Sequence, residues 1–153
     1  MSLPSNSNSR GGGATNMRRS LRADVFMITD ANKALVVELY ETVIGGGDIA
    51  LADRLLAPDY IQHNPNVPTG RDGFKTYFAG IHNRFTIDVE ILNVVAEGDM
   101  VVIHVEQRVH SRFLAFTIVA MDRFRIENGR IAEYWDVMSG KSFFDRLKLE
   151  VAG

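Results

Sequence analysis

The stretch AFTIVAMDRFRIENGRIAEYWDVM, residues 115–138, decides the fold. Residues 115–126 alternate and are rich in β-branched and aromatic side chains, which predicts a long strand. Asn128-Gly129 then offers the two left-handed residues of a tight hairpin turn, and 130–138 reads as the returning strand. Upstream, Glu97-Gly98-Asp99 is a second turn signal between 86–96 and 100–109, both again of period two. About four long antiparallel strands are therefore expected in sequence order.

Before residue 86 the apolar period is helical. Leu35, Leu39 and Val43 recur every fourth residue, with Thr29 or Asp30 available as a cap, so a helix is expected over about 31–44. Gly45-Gly46-Gly47 ends it. Asp48 caps a shorter helix, about 49–56, that Pro58 stops, and a loop over 59–70 leads to a third helix, about 71–83. Three helices followed by an antiparallel meander is an α+β arrangement, with helices covering one face of a strongly curved sheet. The segment 142–151 reads as a last short helix.

Strand alternation sorts side chains by face. In 115–126, Phe116, Ile118, Ala120, Asp122, Phe124 and Ile126 share the more apolar face. A carboxylate there is costly unless hydrogen-bonded, paired or protonated. Asp122 is either part of a satisfied structural network or a group whose pKa burial raises, as a general acid/base requires. In 100–109, Val101, Ile103, Val105 and Val109 oppose Val102, His104, Glu106 and Arg108, with His110 just past the end. That polar face is solvated, half of a dimer interface, or the lining of a polar cavity. In the last strand Ile131, Glu133, Trp135 and Val137 lie on one side, and Ala132, Tyr134, Asp136 and Met138 on the other. The loop Gln62-His63-Asn64-Pro65 gathers groups that either position a substrate carbonyl or fix the loop itself.

The chain has 153 residues, 46% hydrophobic and 24% charged, a balance suited to one folded domain rather than a disordered chain. It has no cysteine, which removes disulfides, thiolate metal sites and cysteine nucleophiles. His104 and His110 do not form a metal pair by spacing, so no metal is expected. A net charge of −2 argues against nucleic acid as a partner. No apolar run reaches the ~20 residues of a membrane span, so a soluble protein without a membrane partner is expected. Residues 1–23 read as a flexible basic leader, with four arginines by Arg22 and no acid, ahead of a single domain over 24–153. The default location is the cytoplasm. The leader's Arg- and Ser-rich composition leaves organelle targeting as the alternative. Phosphate-binding glycine motifs and a G-x-S-x-G elbow are absent, which leaves nucleotide chemistry and serine hydrolysis unsupported.

The segments ALVVELYETVIGGGDIALADRLLAPDYIQHNPNVPTGRDGFKTYF, VVAEGDMVVIHVEQ and AMDRFRIENGRIAEYWDVM together resemble the SnoaL-like polyketide cyclase family, of the nuclear transport factor two-like superfamily. The YIQHNP loop and the EYWD ending are closest to its aldol-condensation subgroup, although Tyr134 stands where that subgroup carries His. The resemblance implies a cone-shaped α+β barrel around a pocket, an added short strand near Tyr60–His63, and a homodimer through the sheet. It also implies carbonyl-adjacent acid/base chemistry, such as aldol cyclisation, isomerisation or dehydration, without metal or cofactor. The ligand would be a small, mostly apolar oxygenated molecule. The family's acid/base matches Asp122 in Asp122-Arg123-Phe124-Arg125-Ile126, and its assisting His finds His110 as the nearest candidate. The catalytic candidates are thus Asp122, His63 and His110. The substrate-binding candidates are Gln62, His104, Tyr134, Tyr40 and Trp135. A non-catalytic ligand-binding or dimeric interaction module is the alternative.

Overall fold

The structure, a computed structural model, describes residues 12–141, so the helix expected over 142–151 lies outside the described residues. The chain opens with α1 (Gly12–Glu38), which continues as a π-helical stretch over Leu39–Gly45. The helix begins far ahead of the expected start at Ala31. Thr29 and Asp30 do not cap it: the Thr29 hydroxyl donates to the Phe26 carbonyl within the helix, and Asp30 pairs with Lys33 one turn on. The earlier turns include Ala, Met, Leu and Arg, which favour helix without help from packing. Asn32 Nδ2 donates to the Gly98 carbonyl at 3.1 Å, which ties α1 to the turn between the second and third strands. Ahead of that tie, residues 13–28 are exposed throughout.

Gly47, at φ +75°, turns the chain out of the π-helical stretch. Asp48 caps the next turn, accepting from the Leu51 N–H at 3.3 Å. A 3-10 turn (Ile49–Leu51) and α2 (Ala52–Leu55) follow. The chain then becomes extended two residues ahead of Pro58, as β1 (Leu56–Gln62), where the residues alone read as helix end and loop. The early strand that the family resemblance implies is therefore present, and it pairs parallel to the last strand. After α3 (Arg71–His82) come β2 (Thr86–Glu97), β3 (Met100–His110), β4 (Ala115–Glu127) and β5 (Arg130–Lys141). The sheet order is β1-β5-β4-β3-β2, with the last four antiparallel. Asn128 (φ 51°) and Gly129 (φ 70°) make the expected left-handed hairpin turn.

Two bulges interrupt the antiparallel ladders, between Ile91 and Asn93 and between Arg125 and Ile126, and each bends the sheet. The second corrects the face assigned to Ile131. The extra residue shifts the phase of β5, so Ile131 pairs with Ile126 in the core while Glu133 and Trp135 stay outside. The core fills the concave side: Val36, Leu39 and Val43 of the first helix, Leu55 and Phe74, and the inward rows Val101, Ile103, Val105 and Ala120, Phe124, Ile126. Among the described residues no helix is long and apolar enough to cross a membrane.

Candidate active site

A cavity of about 120 Å³ lies between the helices and the concave face of the sheet. Its walls are mostly apolar. Leu39 and Ile44 come from the π-helical stretch, Phe74, Phe78 and Ile81 from α3, and Val109, Ile118 and Phe124 from the sheet. An engineered cavity of ~150 Å³ holds benzene, so this one takes a small ring, with anything longer extending through its open side. Six polar side chains reach it: Tyr40, Gln62, Asn64, Tyr77, Gln107 and Tyr134.

Asp122 sits immediately behind this wall. It is 1% exposed, on the inward row of β4, as its alternation predicts. The Tyr40 hydroxyl donates to its Oδ2, and Tyr134 is hydrogen-bonded beside it. Oδ1 has no hydrogen-bond partner in the static geometry among the described residues. Burial pushes the Asp122 carboxyl up to about 7; the Tyr134 hydrogen bond pulls it down, and the negative charge of Asp136 adds to the rise. Asp136 faces Asp122 directly across the β4–β5 ladder, and Asn64 Nδ2 donates to its Oδ2 at 2.6 Å. Burial first, and then the two carboxylates, hold the Tyr134 phenol far above its usual range. It therefore stays a neutral donor. Phe124 packs against Tyr40 edge-on at 6.1 Å and against Tyr134 at 5.1 Å, fixing both phenols over the carboxylate.

Gln62 is 9% exposed. Its Oε1 accepts the Asn64 backbone N–H at 3.1 Å, while Nε2 has no partner among the described residues. The amide thus brings a committed acceptor and an uncommitted donor to the cavity wall.

The structure therefore brings Asp122, Tyr40, Tyr134 and Gln62 together, and it leaves four other candidates elsewhere. His63 lies on the outer side of the sheet. Its Nε2 pairs with Glu133 Oε1 at 2.7 Å, and its ring stacks on Trp135 at 4.7 Å and 5°. Trp135 also lies outside, with the Arg123 guanidinium 4.0 Å over its ring. His63 and Arg125 both hydrogen-bond Glu133 and hold its carboxyl below the usual range. His104 pairs across the ladder with Met121 and lines a shallow outer depression with Val95 and Val102. His110 ends β3, bonded to Asp88 at 3.0 Å. The physical reason is the same in each case. One residue of strand phase moves a side chain to the opposite face. Among the described residues no cluster of His, Asp and Glu could hold a metal ion.

Three polar cavity residues, Asn64, Tyr77 and Gln107, were not among the candidate site residues, and Tyr77 was read only as part of the apolar stripe of α3. Gln107 lies on the same inward row as Val105 and Val109, and strict counting by two finds it. Asn64 was legible only as part of a polar loop, because its partner Asp136 is 72 residues away.

Residues 36–134 match the SnoaL-like domain. The chain belongs to the SnoaL-like family. No curated protein matches it significantly. Several solved structures share the fold of this SnoaL-like chain. An M. tuberculosis LEH-like epoxide hydrolase is 19% identical with TM-score 0.66, over 78% of this chain and 89% of that one. IdmH from Streptomyces antibioticus, called a polyketide cyclase, is 20% identical with TM-score 0.62, over 76% and 98%. AclR from Streptomyces galilaeus, called a hydroxylase, is 17% identical with TM-score 0.66, over 78% and 86%. Identities this low establish the architecture and leave the reaction to the site itself.

Proposed function

We propose that this protein performs acid/base chemistry next to a carbonyl on a small, mostly apolar oxygenated molecule, with its own side chains as the proton carriers. The observation that carries the reading is the hydrogen bond from Tyr40, on the cavity wall, to Asp122 behind it. A carboxyl with a pKa of about 7 is present in both forms near neutrality. When Asp122 is ionised, Tyr40 gives its proton toward it and turns a lone pair to the cavity. When Asp122 is neutral, it donates to the Tyr40 oxygen, and the Tyr40 proton can turn to the ligand. One oxygen atom therefore offers a base or an acid according to the state of the carboxyl. As Tyr40 takes a proton from the carbon α to a carbonyl, its own proton passes to Asp122. Gln62 Nε2 is the donor available to the enolate oxygen, while the Tyr134 phenol keeps its one proton on Asp122. Such a donor is worth about 10²–10³ in rate when well placed. Return of the proton to a different atom isomerises the ligand. Attack of the enolate on a second carbonyl is an aldol closure.

A ligand-binding role without turnover is the second reading. It is favoured by one observation: Asp122 is not itself on the cavity wall and acts only through the two phenols. Incubation with 4-phenylbutan-2-one in deuterated buffer separates the two. The catalytic reading expects deuterium at the carbons α to the carbonyl well above the buffer rate, lost in Asp122→Asn. Binding of the ketone without exchange would leave the non-catalytic module.

A further inference from the structure

We infer that the ligand carries a second oxygen function, at the end remote from the Asp122–Tyr40 pair, and that Gln107 recognises it. The inference rests on the cavity being the ligand site. Gln107 lies on the inward row of β3 between Val105 and Val109, and its side chain lines the cavity. Its other neighbours on that wall are Ile87, Ile118 and Val109. Gln107 is half-buried there, and its amide brings two donors and an acceptor to this stretch of the wall. No residue among those described bonds it.

The spacing shows that one ligand oxygen cannot serve both ends. Asp122 faces Ile103 across the β3–β4 ladder, whereas Gln107 faces Ile118. This offset of four residues corresponds to roughly 13 Å of strand. Between them the inward rows carry Val105 and Ala120, paired across the ladder, which offer nothing to a polar group. The arrangement suits a molecule with a carbonyl at the tyrosine end, an apolar middle and a hydroxyl or second carbonyl at the other. Because the glutamine amide both donates and accepts, either oxygen function meets a partner.

A matched pair of probes tests this: 4-phenylbutan-2-one and its analogue with a para-hydroxyl on the ring. Their dissociation constants are measured by NMR titration against the full chain, Gln107→Leu and Gln107→Met. A hydrogen bond to an otherwise unpaired amide predicts about 5- to 10-fold tighter binding of the hydroxyl compound. In both variants the ratio should fall to about one, with the affinity for 4-phenylbutan-2-one maintained or improved. Equal binding of the two compounds by the unsubstituted chain, or a preference that survives both substitutions, overturns the role of Gln107 and leaves the ketone site standing. Failure of either compound to bind at all would remove the cavity reading, and this inference with it. Thermal melts of both variants confirm that the apolar replacements fold.

Discussion

The Tyr40 hydroxyl, on the π-helical continuation of the first helix, donates to Oδ2 of Asp122, on the central part of β4, across 82 residues of chain. The bond ties the helical layer to the sheet at an inward position where the sheet carries an acid. Site and fold are therefore coupled. Any change in the charge of Asp122 is felt as a change in how the two layers hold together.

Asp122→Asn should flatten the pH dependence of stability. Unfolded, the carboxyl titrates at its ordinary 3.8; folded, at about 7. Between those values the folded chain holds a proton that the unfolded chain has released. Stability from this group is therefore present below about pH 4 and lost as pH rises through about 7. The full loss is on the order of 4 kcal/mol. Denaturant unfolding at pH 4 and pH 8 should show the variant gaining on the parent at the higher pH. Equal gaps at both pH values would mean that the carboxyl titrates normally.

Tyr134→Phe should raise the Asp122 pKa beyond about 7, because it removes the hydrogen bond that favours the ionised form. The ring is kept, so the contact with Phe124 survives. Carboxyl-carbon NMR through a pH titration reads the shift directly, with Asp122→Asn as the assignment control. An unchanged or lower value would place Tyr134 outside the proton-holding pair.

His63→Ala should leave affinity for cavity ligands within about twofold. The imidazole spends its ring nitrogen on Glu133 and its face on Trp135, both on the far side of the sheet. NMR titration with 4-phenylbutan-2-one checks this, and a loss of tenfold or more would return His63 to the site.

The outer sheet face is where we propose that two copies meet. Val95, Met121 and Val137 are 57%, 54% and 76% exposed there, and Val137 and Met121 are neighbours across the ladder. Exposed apolar side chains grouped on one face are a usual mark of an interface. Val137→Glu would bury two like charges at the centre of such a contact. Sedimentation should show a dimer converted to monomer; a parent chain that sediments as a monomer at micromolar concentration would refute the interface.

The sheet was legible because its signals are local. Period two, the Asn128-Gly129 turn and the Glu97-Gly98-Asp99 turn lie within the strands they define, and Asp122 was found by the same count. The bulge at Arg125/Ile126 was not, and it alone sent Ile131 to the wrong face. The histidines misled for a related reason. Residue type suggested chemistry, but His63, His104 and His110 are placed by strand phase and by acids far along the chain, such as Glu133 and Asp88. Tyr40 and Asp122 could each be read as facing inward. That they face each other depends on how far the helix has turned by residue 40, which apolar spacing does not resolve.

That turning angle has its own consequence. Over Leu39–Gly45 the chain winds as a π-helix, which spends more residues on each turn than an α-helix does. The stretch acts as a rotary offset between Tyr40, near its start, and the buried Val43 and Ile44 further along it, of which Ile44 lines the cavity. The aim of those side chains relative to the phenol is thus stored in a residue count as much as in residue identity. Removing one residue such as Glu41, which is exposed and touches neither the cavity nor Asp122, would let the segment close as an ordinary α-helix. The side chains beyond would swing out of phase while every residue of the site remained in the sequence. A substitution scan would pass over such a position, whereas a deletion scan would expose it.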